Sequence, residues 1–264
     1  MSGAIHGIHP VLEALAAGSG RVTRVVVAEG RRDGRLIRVL EAARAARVPV
    51  QRQPEKALDR LAGGEPHQGV VALIAAAPYA DPEEALRQAA RPELLVVLDG
   101  VEDPRNLGAV IRAAAGAGAD ALFLPERRAA GLTAVAEKAA AGAAERLPVA
   151  RVGNVVAFLN RLKEQGIWVA GLDPAGTTAW TDYDLTGPVA LVLGGEGKGL
   201  RRLCRETCDL ILRIPLMRGV ESLNLSVAAA VVLFEARRQR LQKAAGRPPE
   251  GPPAAPRGGP AGNF

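Results

Sequence analysis

"LLVVLDGVEDPRNLGAVIRAAAGAGADALFLP", residues 94–125, decides the fold class. Leu94 to Leu98 are apolar without alternation, and the run stops at Asp99 and Gly100. That is the pattern of a parallel strand buried on both faces. Asp103 then stands where a helix N-cap belongs, Pro104 takes the first helical position, and Gly116 or Gly118 closes the helix. A second apolar strand, "DALFLP", follows at once. The same alternation continues through "TAVAEKAAAGAAE", "LPVARV", "VVAFLNRLKEQG", "IWVAGLD", "PVALVLGGEGKGL" and "CDLILRIPL". Alternating strands and helices predict an α/β domain with a mainly parallel, helix-covered sheet over residues 94–241. Such sheets bind ligands beyond the carboxyl ends of their strands. The richest loops, after Leu98, Leu193 and Leu216, all lie there.

Residues 1–76 read as a separate, smaller α/β unit. "HPVLEALAAG" is a helix ending at Gly18, and "VTRVVVAEG" is a buried strand stopped by Gly30. "DGRLIRVLEAARAARV" has helical apolar spacing at Leu36, Val39, Leu40 and Ala43, and "VPVQRQ" and "QGVVALIAA" are short strands. The unit carries 11 Lys or Arg against 7 Asp or Glu. Arg31, Arg35 and Arg38 share one side if the helix begins early, either as a solvated face or as one that meets phosphates. Residues 77–93 read as a proline-marked linker with room for one short helix. Residues 242–264, rich in Pro, Gly and Ala and without apolar periodicity, are expected to be disordered.

The formal net charge of +6 favours an anionic partner. No apolar run approaches the length of a membrane span, and the first residues lack a basic and apolar leader, so a cytoplasmic protein is expected. The two cysteines, Cys204 and Cys208, are far in sequence from the three histidines, His6, His9 and His67. They read as reduced helix residues, with no metal site.

"GGEGKGL", residues 194–200, is not a Walker loop: Val192 stands where the first Gly belongs, and Gly199 where Ser or Thr belongs. It fails the dinucleotide fingerprint too, and "GAGADA", residues 116–121, lies between a helix and a strand, the reverse of the required order. What remains is a turn whose backbone can approach a ligand closely, with the carboxylate Glu196 inside it. No histidine lies in residues 94–264, so a Ser–His–Asp site is unsupported there. Catalysis would rest on Asn, Arg, Glu and Ser, which suit positioning and charge stabilisation. In "IPLMRGVESLNLSVAAAVVLFEARR", residues 214–238, Glu221, Ser222, Asn224 and Ser226 stand before an apolar helix, read as buried from Val227 to Phe234. They serve as helix caps, as a ligand wall, or as both.

Three stretches taken together, residues 98–125, 191–216 and 219–240, resemble in order and spacing the three motifs of the SpoU branch (TrmH-like) of the SPOUT RNA 2′-O-ribose methyltransferases. "IHGIHPVLEAL" and "HQGVVALI" resemble that family's L30e-like substrate-binding domain. Within the family the resemblance is strongest to enzymes that methylate a guanosine of 23S ribosomal RNA, with transfer-RNA enzymes next. The resemblance implies S-adenosylmethionine as cofactor, RNA as partner, a homodimer, and a trefoil knot at the carboxyl end of the catalytic domain. It places the cofactor against Gly194, Gly197, Ile214, Leu216 and Leu223. It places the chemistry on Asn106, Arg112, Glu196, Ser222 and Asn224, with Asn106 ordering the site and Arg112 reaching the ribose or its phosphate. A guanidinium gives up a proton reluctantly, so orientation and phosphate clamping suit Arg112 better than base catalysis. Two other readings stay open: a non-catalytic RNA-binding or ribosome-assembly protein, and a nucleotide-binding oxidoreductase, which the failed fingerprints disfavour.

With only 3% aromatic residues, stacking on bases is a poor mode of binding, and shape and phosphates remain. RNA affinity is therefore expected to fall steeply with salt, by about a hundredfold or more between 50 and 200 mM. Filter binding across a salt series reads this, and a flat dependence contradicts it.

Overall fold

The computed structural model describes residues 3–16, 21–31, 34–75, 78–197 and 199–246 of the chain. The amino-terminal unit comprises β1 (Gly3–His6), α1 (Ile8–Ala16), β2 (Val22–Ala28), α2 (Gly34–Ala45), β3 (Val50–Gln53), α3 (Glu55–Leu61) and β4 (Val70–Ile74). Its strands form a mixed sheet in the order β1-β4-β2-β3. The end of the first helix expected at Gly18 lies outside the described residues. Helix α2 begins only at Gly34, so Arg31 is not on its face. Arg31 instead lies over Gly69 and pairs with Glu55 at 3.7 Å. The third helix and the first strand escaped the sequence reading because each is short and flanked by polar residues.

The expected linker contains α4 (Pro82–Gln88), capped by Asp81, and Ala85 is buried in the larger unit's core. That unit continues with β5 (Leu94–Asp99), α5 (Pro104–Ala117), β6 (Ala121–Pro125), α6 (Ala134–Ala140), β7 (Val149–Val152), α7 (Val155–Glu164), β8 (Trp168–Leu172), β9 (Thr178–Ala179), β10 (Val189–Gly194), α8 (Arg202–Thr207), β11 (Leu210–Arg213) and α9 (Leu225–Ala244). All its strand pairs are parallel, in the order β7-β6-β5-β10-β8-β11-β9. Strand β5 is buried at every position, as its unbroken apolar run requires.

Local chemistry sets the helix that carries the first motif. Asp103 accepts a hydrogen bond from the Arg105 amide at 2.8 Å, and Gly118 ends α5 at φ 82°. Leu107, Val110, Ile111 and Ala114 face the core, where α6 and α9 pack on α5. Helix α9 is not buried all round, as the apolar run had suggested. Ala229, Val232, Leu233 and Ala236 are buried, while Val227 and Phe234 are each 49% exposed. Nor does it stop where the tail was expected to begin: α9 runs to Ala244. The reason lies at its last turns. Arg240 donates to the carbonyls of Leu185, Pro92, Glu93 and Gly187, and Gln239 accepts from the Leu185 amide at 2.8 Å. Residues beyond Gly246 lie outside those described.

Helix α5 and α6 touch backbone to backbone at Gly108, where an added Cβ would collide with the Ala136 carbonyl oxygen. Two effects compete in Gly108→Ala. Helix propensity favours Ala by about 1 kcal/mol, while overpacking against backbone costs about 1–3 kcal/mol. Overpacking wins, and a lower melting temperature is expected. Gly116→Ala in the same helix meets only Phe234, at 3.5 Å, and is expected to be neutral or stabilising. Thermal melts of the pair check this, and a stabilised Gly108→Ala contradicts it.

Candidate active site

The carboxyl ends of β5, β10 and β8 lie side by side, and the polar loops meet there. The turn after β10 folds back on itself. Gly195 and Gly199 form an antiparallel bridge, and a Cβ on Gly194 would collide with the Gly199 carbonyl carbon. On its other side, a Cβ on Gly195 would come within 2.5 Å of the Gly100 carbonyl oxygen at the end of β5. The turn is glycine-rich because its backbone touches two other backbones.

One cavity opens beneath this turn. Its walls include Gly194, Gly197, Ile214, Leu216 and Leu223, all five residues expected to hold the cofactor. Glu196 and Ser222 line it too. Leu172, Pro174, Leu193, Leu225 and Ala228 extend its apolar surface, and Asp173 adds a second carboxylate. Apolar walls with backbone rims and a carboxylate suit a ligand with a flat heterocycle and a positive charge.

Beside the cavity runs a chain of hydrogen bonds. Asn224 is the N-cap of α9 and accepts from the Ser226 amide at 2.9 Å and its hydroxyl at 2.6 Å. Its Nδ2 donates to Asn106 Oδ1 at 3.1 Å. Asn106, in the first turn of α5, donates through Nδ2 to Glu196 Oε1 at 2.7 Å. The Glu102 amide approaches Glu196 Oε2 at 3.4 Å. Asn106, Glu196 and Asn224, from three separate motifs, therefore form one network. Arg112 does not join it. It is exposed on α5, does not line the cavity, and has no hydrogen bond or ion pair among the described residues.

Sequence reasoning missed a buried support under the turn. Asp99, the last residue of β5, has a side chain with no exposed surface and accepts from the Arg201 amide at 2.9 Å and from its Nε at 2.5 Å. This carboxylate raises the Arg201 guanidinium above its ordinary value. Burial, reinforced by Asp99, pushes the Cys204 thiol up to about 12, and burial with Asp209 does the same for Cys208. Both thiols stay protonated at neutral pH, consistent with reduced packing residues. Among the described residues no cluster of His, Cys, Asp or Glu has a metal-binding arrangement. The available signal for the support was Asp99 itself, a carboxylate ending a fully apolar strand.

The SpoU rRNA Methylase family model matches residues 93–234, and the model for RNA 2′-O ribose methyltransferase substrate binding matches residues 4–80. A 23S rRNA (guanosine-2′-O-)-methyltransferase, RlmB, of Xylella fastidiosa is 45% identical over 89% of this chain and 96% of its own. An AdoMet-bound rRNA methyltransferase of Sinorhizobium meliloti superposes with a TM-score of 0.72 at 26% identity, over 90% of this chain and 87% of that one. A TrmH/SpoU tRNA-modifying enzyme of A. aeolicus superposes with a TM-score of 0.54 at 26% identity, over 61% of this chain and 85% of its own. The chain belongs to the SpoU rRNA methylase family. It is an RNA 2′-O-ribose methyltransferase that uses S-adenosylmethionine.

Asn106→Ala removes the donor to Glu196 and the acceptor of Asn224 together. Because both partners are exposed, the fold is expected to persist. Methyl transfer is expected to fall by about a hundredfold, the scale of losing one organising polar group in a site. Transfer of labelled methyl groups measures it, and wild-type rates in the variant contradict the network's role.

Proposed function

We propose that this enzyme methylates the ribose 2′-hydroxyl of a guanosine in 23S ribosomal RNA. The observation that carries the reading is the apolar-walled cleft under the glycine turn, with the Asn224–Asn106–Glu196 network beside it. The nearly full-length likeness to a ribosomal RNA enzyme supports the substrate. Transfer-RNA methylation is the second reading. The tRNA-modifying relative of A. aeolicus matches 61% of this chain, against 89% for the ribosomal RNA enzyme of Xylella fastidiosa.

In this reading residues 94–241 are catalytic and residues 1–76 bind RNA. Ile214, Leu216 and Leu223, with the Gly194–Gly197 backbone, would hold the adenosyl group. S-adenosylmethionine, when bound, supplies a methyl group on sulfur that is open to in-line attack by an oxygen nucleophile. Asn106, Glu196, Ser222 and Asn224 would orient the ribose toward that methyl group, and alignment would supply much of the acceleration. Arg112, exposed and unpaired among the described residues, clamps a phosphate of the RNA. The hydroxyl proton leaves to water or phosphate. Transfer from a sulfonium requires no metal.

The enzyme works as a homodimer. The exposed stripe of Val227, Phe234 and Leu241 on α9, spaced seven residues apart, supports this, since pairing would bury it. The flanking of β8 by β10 on one side and β11 on the other supports the knot. Among the described residues no helix is long and apolar enough to cross a membrane, and the cytoplasm, where ribosomal RNA resides, is the proposed location.

Incubating ribosomal and transfer RNA with labelled S-adenosylmethionine, and mapping ribose methylation, tests this reading. Label at a guanosine of 23S RNA is expected, lost in Arg112→Ala. Label on transfer RNA alone overturns the substrate, and no transfer to any RNA overturns the activity.

A further inference from the structure

Helix α8 follows the glycine turn directly, and it is held from both sides. Its N-cap residue Arg201 and, within the helix, Arg205 are one helical turn apart and grip carboxylates at the ends of the two strands that flank β10. Arg201 meets Asp99 at the end of β5, through its amide at 2.9 Å, its Nε at 2.5 Å and its Nη2. Arg205 meets Asp173, just past β8, at 3.5 Å, and donates to the Ala175 carbonyl at 3.3 Å. Strands β5 and β8 are the two neighbours of β10, the strand that leads into the turn. The turn is thus a strap fixed at one end by β10 and at the other by this pair of clamps.

The two clamps are not equal. Asp173 keeps 11% of its side chain exposed, and its contact is long. Asp99 has no exposed side-chain surface, and a buried carboxylate is tolerated only where charge and hydrogen bonds compensate it. Arg201 supplies both, and its amide is the first after Leu200 closes the turn. We propose that Asp99 and Arg201 are a positioning pair for the cofactor: they fix the turn Gly194–Leu200 so that its backbone meets S-adenosylmethionine and Glu196 meets Asn106. Neither side chain lines the cavity, so both act through the turn. This role rests on the assignment of that cavity to the cofactor.

A purely structural pair would lower the melting temperature and leave cofactor affinity in the folded protein alone. A positioning pair weakens the cofactor selectively. Arg201 is half exposed, so Arg201→Gln is expected to fold. The full chain is titrated with S-adenosylmethionine by calorimetry, well below the melting temperature, as wild type, Arg201→Gln, Arg201→Lys, Asp99→Asn and Leu223→Ala. RNA binding is measured in parallel by filter assay. Arg201→Gln is expected to raise the cofactor Kd about tenfold, the size of one charge-assisted hydrogen bond, with RNA affinity unchanged. KM for the cofactor should rise in proportion. Arg201→Lys should recover part of the loss, because it restores the charge but not the fork. Asp99→Asn, if folded, should resemble Arg201→Gln. An unchanged Kd in folded Arg201→Gln, with Leu223→Ala weakened, overturns the pair alone. Equal loss of RNA and cofactor binding also overturns it. An unchanged Kd in Leu223→Ala overturns the cavity assignment instead.

Discussion

Backbone contact between the turn after β10 and the end of β5 is the constraint on which the site depends. Gly195 sits on the Gly100 carbonyl, and Gly194 on Gly199, at separations that leave no room for a side chain. Contact of this kind brings two motifs, 95 positions apart at Gly100 and Gly195, into one surface. It sets where Glu196 stands, and through Glu196 it sets Asn106 and Asn224. The cavity is the space left beneath a turn that cannot spread.

Polar groups then hold that geometry at two depths. Below, the Asp99 carboxylate is buried and compensated by Arg201. Above, neutral amides and one carboxylate link the first turn of α5 to the N-cap of α9. Such an arrangement suits a reaction that aligns two reactants and asks little acid–base work of the protein. It also joins stability to function at one residue. Asn224 satisfies one orphan donor of α9, the Ser226 amide, and in the same position donates to Asn106. The cap of α9 and one wall of the cavity come from the same short segment, Ser222 to Leu225.

Much of this was legible in the sequence, for physical reasons. The parallel sheet was visible because β5, β6 and β10 are buried on both faces and so carry unbroken apolar runs. Helix α5 was visible through Asp103, Pro104 and Gly118. The five cavity residues followed from motif resemblance, since their spacing alone predicts no pocket. Three things were hidden. Helix α3 and the two-residue β9 are too short to show a period. The extension of α9 to Ala244 depends on carbonyls that Arg240 meets only in the folded chain. The Asp99–Arg201 pair spans 102 positions, and no local pattern announces it.

The central claim is that close backbone contact in the glycine turn makes the cofactor site. Calorimetric titration of S-adenosylmethionine into Gly194→Ala tests it most directly, with circular dichroism to confirm the fold. An added Cβ must push Gly199 away and open the turn. The account predicts a folded protein whose cofactor affinity falls by about a hundredfold or more, the cost of about 3 kcal/mol of overpacking. A folded Gly194→Ala that binds the cofactor as tightly as wild type would contradict it.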